Sequence, residues 1–149
     1  MHAARLPSPI GPLYAELDDE GRLARLETNG RAAPPDRDGA FAAVAAQLDE
    51  YFAGARTTFE LPLAEHGTPF ERRVWARLRT IPYGETVTYG ELARELGSSP
   101  RAVGRANGRN PLSIVVPCHR VIGTNGSLTG YAGGLPIKRA LLEHEGALA

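Results

Sequence analysis

Thr88-Tyr89-Gly90-Glu91-Leu92-Ala93-Arg94-Glu95-Leu96-Gly97-Ser98-Ser99-Pro100-Arg101-Ala102-Val103-Gly104-Arg105-Ala106-Asn107-Gly108-Arg109 contains two helix beginnings close together. Thr88 is a natural N-cap for a helix over Tyr89 to Glu95, with Leu92, Ala93 and Leu96 facing inward and Gly97 as its stop. Ser99 then caps a second helix, with Pro100 at the first helical position, where its missing N–H has no cost. Two short helices joined by so brief a Gly-Ser turn predict a helix-turn-helix. On the second helix Arg101, Arg105 and Arg109 recur at i, i+4 and i+8 and share one face. Ala102, Val103, Gly104 and Ala106 between them are small, so that face can lie close to another surface. A basic second helix of this kind reads as a nucleic-acid reader. Asn107-Gly108 pairs two poor helix formers, and the helix is expected to break down there.

Working outward toward the C-terminus, Asn110-Pro111-Leu112-Ser113-Ile114-Val115-Val116-Pro117-Cys118-His119-Arg120 carries the only cysteine. Ile114-Val115-Val116 predicts a short buried strand that Pro117 ends. Cys118 then lies where regular structure stops. It is either a small packed residue or a nucleophile. His119 is either a structural histidine or a base, and it reaches the thiol only if the chain turns after Pro117. Arg120 adds a positive charge that favours thiolate.

Pro117-Cys118-His119-Arg120-Val121, preceded by Asn110-Pro111 and followed by Gly130-Tyr131-Ala132-Gly133-Gly134-Leu135, resembles the active-site signature of the O6-alkylguanine-DNA alkyltransferases, also called methylated-DNA–protein-cysteine methyltransferases. The likeness runs from about Thr68 to Gly146. It implies an α/β (α+β) fold: a reduced ribonuclease H-like hairpin-and-helix domain, then a winged helix-turn-helix DNA-binding domain carrying the site. It also implies residue roles. Cys118 is the thiolate that takes the alkyl group, and His119 is its base through a water and Glu145. Asn110 braces the turn that holds the cysteine. Tyr89 assists extrusion of the base and protonates the guanine ring, and Arg101 enters the stack in place of the flipped nucleotide. The backbone at Val121 and the Tyr131-Ala132 loop bind the guanine edge. Ser113 stands where many relatives have a second proline, which removes an apolar platform from the pocket wall.

The expected reaction is irreversible, stoichiometric transfer from O6-alkylguanine in duplex DNA, with O4-alkylthymine as a further candidate substrate. It needs no cofactor. The nearest alternative is a non-transferring alkyltransferase-like damage binder, which would lack the reactive cysteine. A regulator sensing alkylation through Cys118, or a Cys-His hydrolase, is less well served: the chain offers neither an evident effector domain nor a peptide groove.

Composition agrees with a protein of this kind. The net charge of zero conceals an asymmetry, because 6 Arg against 11 Asp and Glu leave residues 1–65 at −5, and 11 Lys and Arg against 6 Glu leave residues 66–149 at +5. The second segment is the one suited to a polyanion. A single cysteine excludes a disulfide framework and any multi-cysteine zinc site, and His2, His66, His119 and His144 show no metal-ligand spacing. No apolar run approaches the roughly 20 residues of a membrane helix. A cytoplasmic protein is therefore expected, and a monomer is expected as well.

In the first 65 residues, turn signals at Pro9 to Pro12 and Asp18 to Gly21 flank Leu13 to Leu17 and precede Leu23 to Leu26, predicting a hairpin or meander. Thr28 to Gly39 reads as a loop, and Ala40 to Phe52 as a helix burying Phe41, Val44, Leu48 and Phe52. This segment, 1–65, has no catalytic constellation and is assigned a scaffolding role. Thr57 to Gly67 predicts a strand and a connection. Domain 66–149 opens with Thr68-Pro69-Phe70-Glu71, a capping box, on a helix burying Phe70, Val74, Trp75 and Leu78. It closes with a helix over Pro136 to Glu145 that buries Ala140 and Leu141.

Overall fold

The computed structural model describes residues 2–131 and 134–148. The chain divides into two compact units, Met1–Glu65 and His66–Ala149. In the first, strands β1 (His2–Leu6), β2 (Leu13–Leu17) and β3 (Leu23–Glu27) form one antiparallel sheet in chain order. The β2–β3 turn is built by Asp18, whose Oδ1 accepts the N–H groups of Glu20 at 3.0 Å and Arg22 at 2.8 Å. Strand β1, which lacks β-branched residues, forms because β2 offers a pairing edge, with Leu6 opposite Leu13.

Helix α1 (Ala42–Phe52) buries Val44, Leu48 and Tyr51, with Phe41 buried just before it. Tyr51 rather than the expected Phe52 completes the buried stripe, and Phe52, the last residue of the helix, is half-buried with its ring edge-on to Tyr51 at 5.0 Å. No strand forms over 57–67. Leu63 makes one isolated bridge to Leu23, and Pro62, which has no N–H, contributes only its carbonyl to Leu23 N–H at 2.8 Å.

The second unit starts with α2 (Pro69–Leu78). Both halves of the capping box are present: Glu71 N–H donates to Thr68 Oγ1 at 3.1 Å, and Thr68 N–H donates to Glu71 Oε1 at 2.9 Å. Val74 and Leu78 are buried, whereas Trp75 is half-buried and donates its indole N–H to the Ala106 carbonyl at 2.8 Å. Strand β4 (Val87–Thr88) leads into α3 (Tyr89–Leu96), capped by Thr88 and ended by Gly97 at φ 63°. That left-handed stop is what glycine permits.

Helix α4 (Pro100–Gly108) is capped by Ser99 Oγ accepting the Ala102 N–H at 3.1 Å. It runs through Asn107 and Gly108 rather than breaking there. The reason is tertiary: Val103, Ala106 and Asn107 are buried against α2 and α3, and that packing outweighs propensity. A 3₁₀ turn (Cys118–Arg120) leads to β5 (Val121–Ile122), which pairs in parallel with β4. Helix α5 (Leu135–His144) closes the unit, burying Lys138, Leu141 and Leu142 while Ala140 is half-buried. Among the described residues, no helix is long and apolar enough to cross a membrane.

Candidate active site

The predicted strand at Ile114–Val116 is absent. A tight turn replaces it, with the Val115 N–H on the Ser113 carbonyl at 2.8 Å and the Val116 N–H on the Leu112 carbonyl at 2.9 Å. Ile114 sits at φ 74°, the one non-glycine residue with positive φ among those described. For a β-branched side chain this costs on the order of 1–3 kcal/mol, so the surroundings must hold it. Asn110 does much of that holding. Its Oδ1 accepts the Leu112 N–H at 3.0 Å, and its Nδ2 donates to the Val116 carbonyl at 2.8 Å and the Leu112 carbonyl at 3.4 Å. With the Val115 and Val116 N–H groups spent inside the turn and the Val116 carbonyl taken by Asn110, little of a strand's ladder is left.

The turn delivers Cys118 to the start of the 3₁₀ turn, its N–H on the Val116 carbonyl at 2.8 Å. Cys118 is buried, with 5% of the residue's surface exposed. Burial pushes its pKa up, while the Asn110 amide and the Lys138 ammonium pull it back toward thiolate. Arg120 does not serve the thiol as the sequence suggested. It is buried and committed to Glu145, with Nε to Oε1 at 2.8 Å and Nη2 to Oε2 at 2.9 Å, and its Nη1 donates to the Ile81 carbonyl at 2.7 Å.

His119, fully buried, shares that carboxylate, its Nε2 lying 2.8 Å from Glu145 Oε2. A carboxylate oxygen accepts, so Nε2 carries the proton and Nδ1 keeps its lone pair. Nδ1 is buried without a protein hydrogen-bond partner. Burial lowers the imidazole pKa, which Glu145 raises in part, and the ring is neutral near pH 7. The result is a buried base with a bare nitrogen one residue from the thiol. Glu145, at the end of α5, is buried as well and belongs to this group.

Lys138 was not singled out from the sequence. One turn into α5 and wholly buried, it donates from Nζ to the carbonyls of Val121 at 2.6 Å and Thr129 at 2.7 Å. Burial draws its pKa down to about 8, opposed by the charge of Cys118. Its grip on Val121 occupies one of the two lone pairs of that residue's carbonyl, in the backbone expected to meet the guanine edge. Asn107, also missed, is buried and donates from Nδ2 to the Cys118 carbonyl at 3.3 Å and to the Tyr89 hydroxyl at 3.4 Å. A lysine in an amphipathic helix and an asparagine in a basic one carry no local sign of burial.

Tyr89 and Arg101 line one cavity of about 580 Å³, together with Gly104, Thr129, Gly130 and Tyr131. Its size suits a single ligand group. The Tyr89 hydroxyl lies 3.4 Å from the Thr129 carbonyl and 3.5 Å from that of Gly130. Arg101 and Arg105 are exposed on α4, and Ala102 beside them is half-buried. Arg109 sits at the C-cap rather than on the helix, its Nη1 3.4 Å from Glu71 Oε2. Ser113 is buried in the turn, and Val121 is fully buried. Ala132, expected at the guanine edge, lies outside the described residues.

Comparison with known proteins bears on both units. Residues 1–64 match the family described as 6-O-methylguanine DNA methyltransferase, ribonuclease-like domain, and residues 69–147 match its DNA binding domain. A methylated-DNA–protein-cysteine methyltransferase of Methanosarcina acetivorans is 47% identical, over 99% of both chains. One from Mycobacterium bovis is 49% identical over 97% of this chain and 92% of its own. The crystal structure of Mycobacterium tuberculosis OGT in complex with DNA superposes with a TM-score of 0.89 at 49% identity, covering 98% of this chain and 93% of that one.

Proposed function

Because the chain belongs to the 6-O-methylguanine DNA methyltransferase family, we propose that its transfer chemistry runs through Cys118, His119 and Glu145, with Asn110, Tyr89 and the α4 arginines in support. The protein repairs DNA directly, moving an alkyl group from O6-alkylguanine to its own cysteine. The observation that carries this assignment is the bare, buried Nδ1 of His119, opposite a ring nitrogen held by Glu145.

A nucleophile cannot reach O6 inside an intact stack, so the base is flipped out. Arg101 fills the gap it leaves, and the cavity beside Tyr89 receives the base. His119 Nδ1 takes the Cys118 proton through a water, and the thiolate sulfur attacks the alkyl carbon. The C–O6 bond breaks with its electron pair moving onto guanine, and Tyr89 supplies a proton to the ring. Guanine departs neutral, and Cys118 carries a thioether. No group in the site can expel a thiolate from that thioether, so each chain acts once. The unit of residues 66–149 holds this chemistry and the DNA-binding helix, and residues 1–65 are its scaffold. The same reading has the protein act in the cytoplasm as a monomer. The damage-binder alternative is disfavoured, because relatives spanning 97–99% of this chain are named as transferases.

Mass spectrometry after incubation with excess O6-methylguanine duplex should find a single added methyl, on Cys118. A Cys118→Ala protein should still bind the damaged duplex and acquire none. Methylation at another residue, or transfer by the alanine variant, would defeat the assignment.

A further inference from the structure

Asn107 is costly where it stands. It lies inside α4, where asparagine is a weak helix former, and its Oδ1 is buried with no hydrogen-bond partner. Such an orphan costs about 1–3 kcal/mol that a leucine of similar size would not. Residues that break the rules of stability in this way tend to serve a site. The orientation of the amide is not arbitrary. The Cys118 carbonyl can only accept, so the group 3.3 Å from it must be the NH₂. That nitrogen has a second hydrogen, and the Tyr89 oxygen lies 3.4 Å away. An amide nitrogen cannot accept in return, so the phenolic proton must point elsewhere. The acceptors within reach are the carbonyls of Thr129 and Gly130, on residues that line the cavity.

We propose that Asn107 is a positioning residue of the transfer reaction: by donating at once to the Cys118 carbonyl and the Tyr89 oxygen, it turns the Tyr89 proton into the base cavity. The inference rests on the reading of Tyr89 as proton donor. The same donation stabilises the phenolate and partly offsets the rise that burial and the Cys118 charge impose on the Tyr89 pKa. One side chain on the DNA-binding helix thereby ties the acceptor cysteine to the acid.

The test is single-turnover transfer from an O6-methylguanine duplex by four full-length proteins: parent, Asn107→Leu, Tyr89→Phe and the double variant. Asn107→Leu should melt no lower than the parent and keep its half-saturating DNA concentration. Its limiting rate should fall about fivefold, the effect of one ordinary hydrogen bond. In the Tyr89→Phe background the leucine should change nothing further. Alkylation of Cys118 by iodoacetamide should stay within about twofold of the parent, since that reaction needs no ring proton. A leucine effect that persists without the Tyr89 hydroxyl, a parental rate for Asn107→Leu beside a slow Tyr89→Phe, or a matching loss of iodoacetamide reactivity would each overturn the proposal. A parental rate for Tyr89→Phe would instead overturn the proton-donor reading and take this inference with it. Should leucine not fit, Asn107→Ser, too short to reach both partners, carries the same comparison.

Discussion

Lys138 shows how far a single residue can act from its place in the chain. A buried ammonium is costly to desolvate, and that cost is what draws its pKa down to about 8. It is retained in a position that joins two carbonyls and favours the Cys118 thiolate. Lys138→Met should therefore slow both transfer and iodoacetamide alkylation of Cys118 roughly tenfold near neutral pH, the worth of about 1.4 kcal/mol of lost charge–charge stabilisation. Chemical denaturation should find stability changed by no more than about 1 kcal/mol, because the lost hydrogen bonds are offset by the removal of a buried charge. An undiminished rate would show that the thiolate does not depend on this cation. Cys118 and His119 were legible in the sequence because Pro117 and their adjacency mark them. Lys138 and Asn107 were not, because what distinguishes them is burial and partners far along the chain. Arg120 was misread for the same reason: its charge was visible, its commitment to Glu145 was not.

At the scale of elements, α3 and α4 lie in the segment that matches the family's DNA binding domain, and their limits follow from local chemistry. Thr88 and Ser99 cap them, and Gly97 turns the chain between them. The arginines of α4 divide by position. Arg101 faces the cavity that Tyr89 lines, whereas Arg105 is exposed and outside that lining. Arg101→Ala should slow repair of duplex DNA far more than reaction with free O6-methylguanine, since only the duplex requires extrusion. Equal losses on both substrates would make Arg101 structural. Arg105→Ala should leave the chemical step intact and reduce the slope of log affinity against log salt by about 0.9, the contribution of one phosphate contact. An unchanged slope would remove it from the interface. Helix starts were readable because caps act over three or four residues. The missing strand at Ile114–Val116 was not, because β-branched residues favour a ladder only when their backbone groups are free to join one, and here the turn takes two N–H groups and Asn110 the Val116 carbonyl.

Across the whole molecule, opposite charges of −5 and +5 are assigned to separate segments, so a neutral protein still presents a basic DNA-binding unit. Its response to acid should come through His119. Burial holds the folded imidazole below its ordinary 6.5, so below that pH the unfolded chain binds more protons than the folded one. The stabilisation is complete above pH 6.5 and is lost as pH falls from there through the depressed folded value. The urea midpoint should therefore drop between about pH 7.5 and about pH 5.5, and the drop should shrink in His119→Gln. An equal drop in that variant would place the acid sensitivity elsewhere.

Helix starts, the charge division, the closely spaced helices α3 and α4 and the adjacency of Cys118 and His119 are all encoded within a few residues of themselves, and the family likeness is carried by those short motifs. The base's tautomer, the cation that supports the thiolate and the amide that joins α4 to both Tyr89 and Cys118 depend on groups 11 to 26 residues apart meeting in a dry interior. There, removal of water makes each hydrogen bond and each charge count, and only packing decides which groups lose their water together.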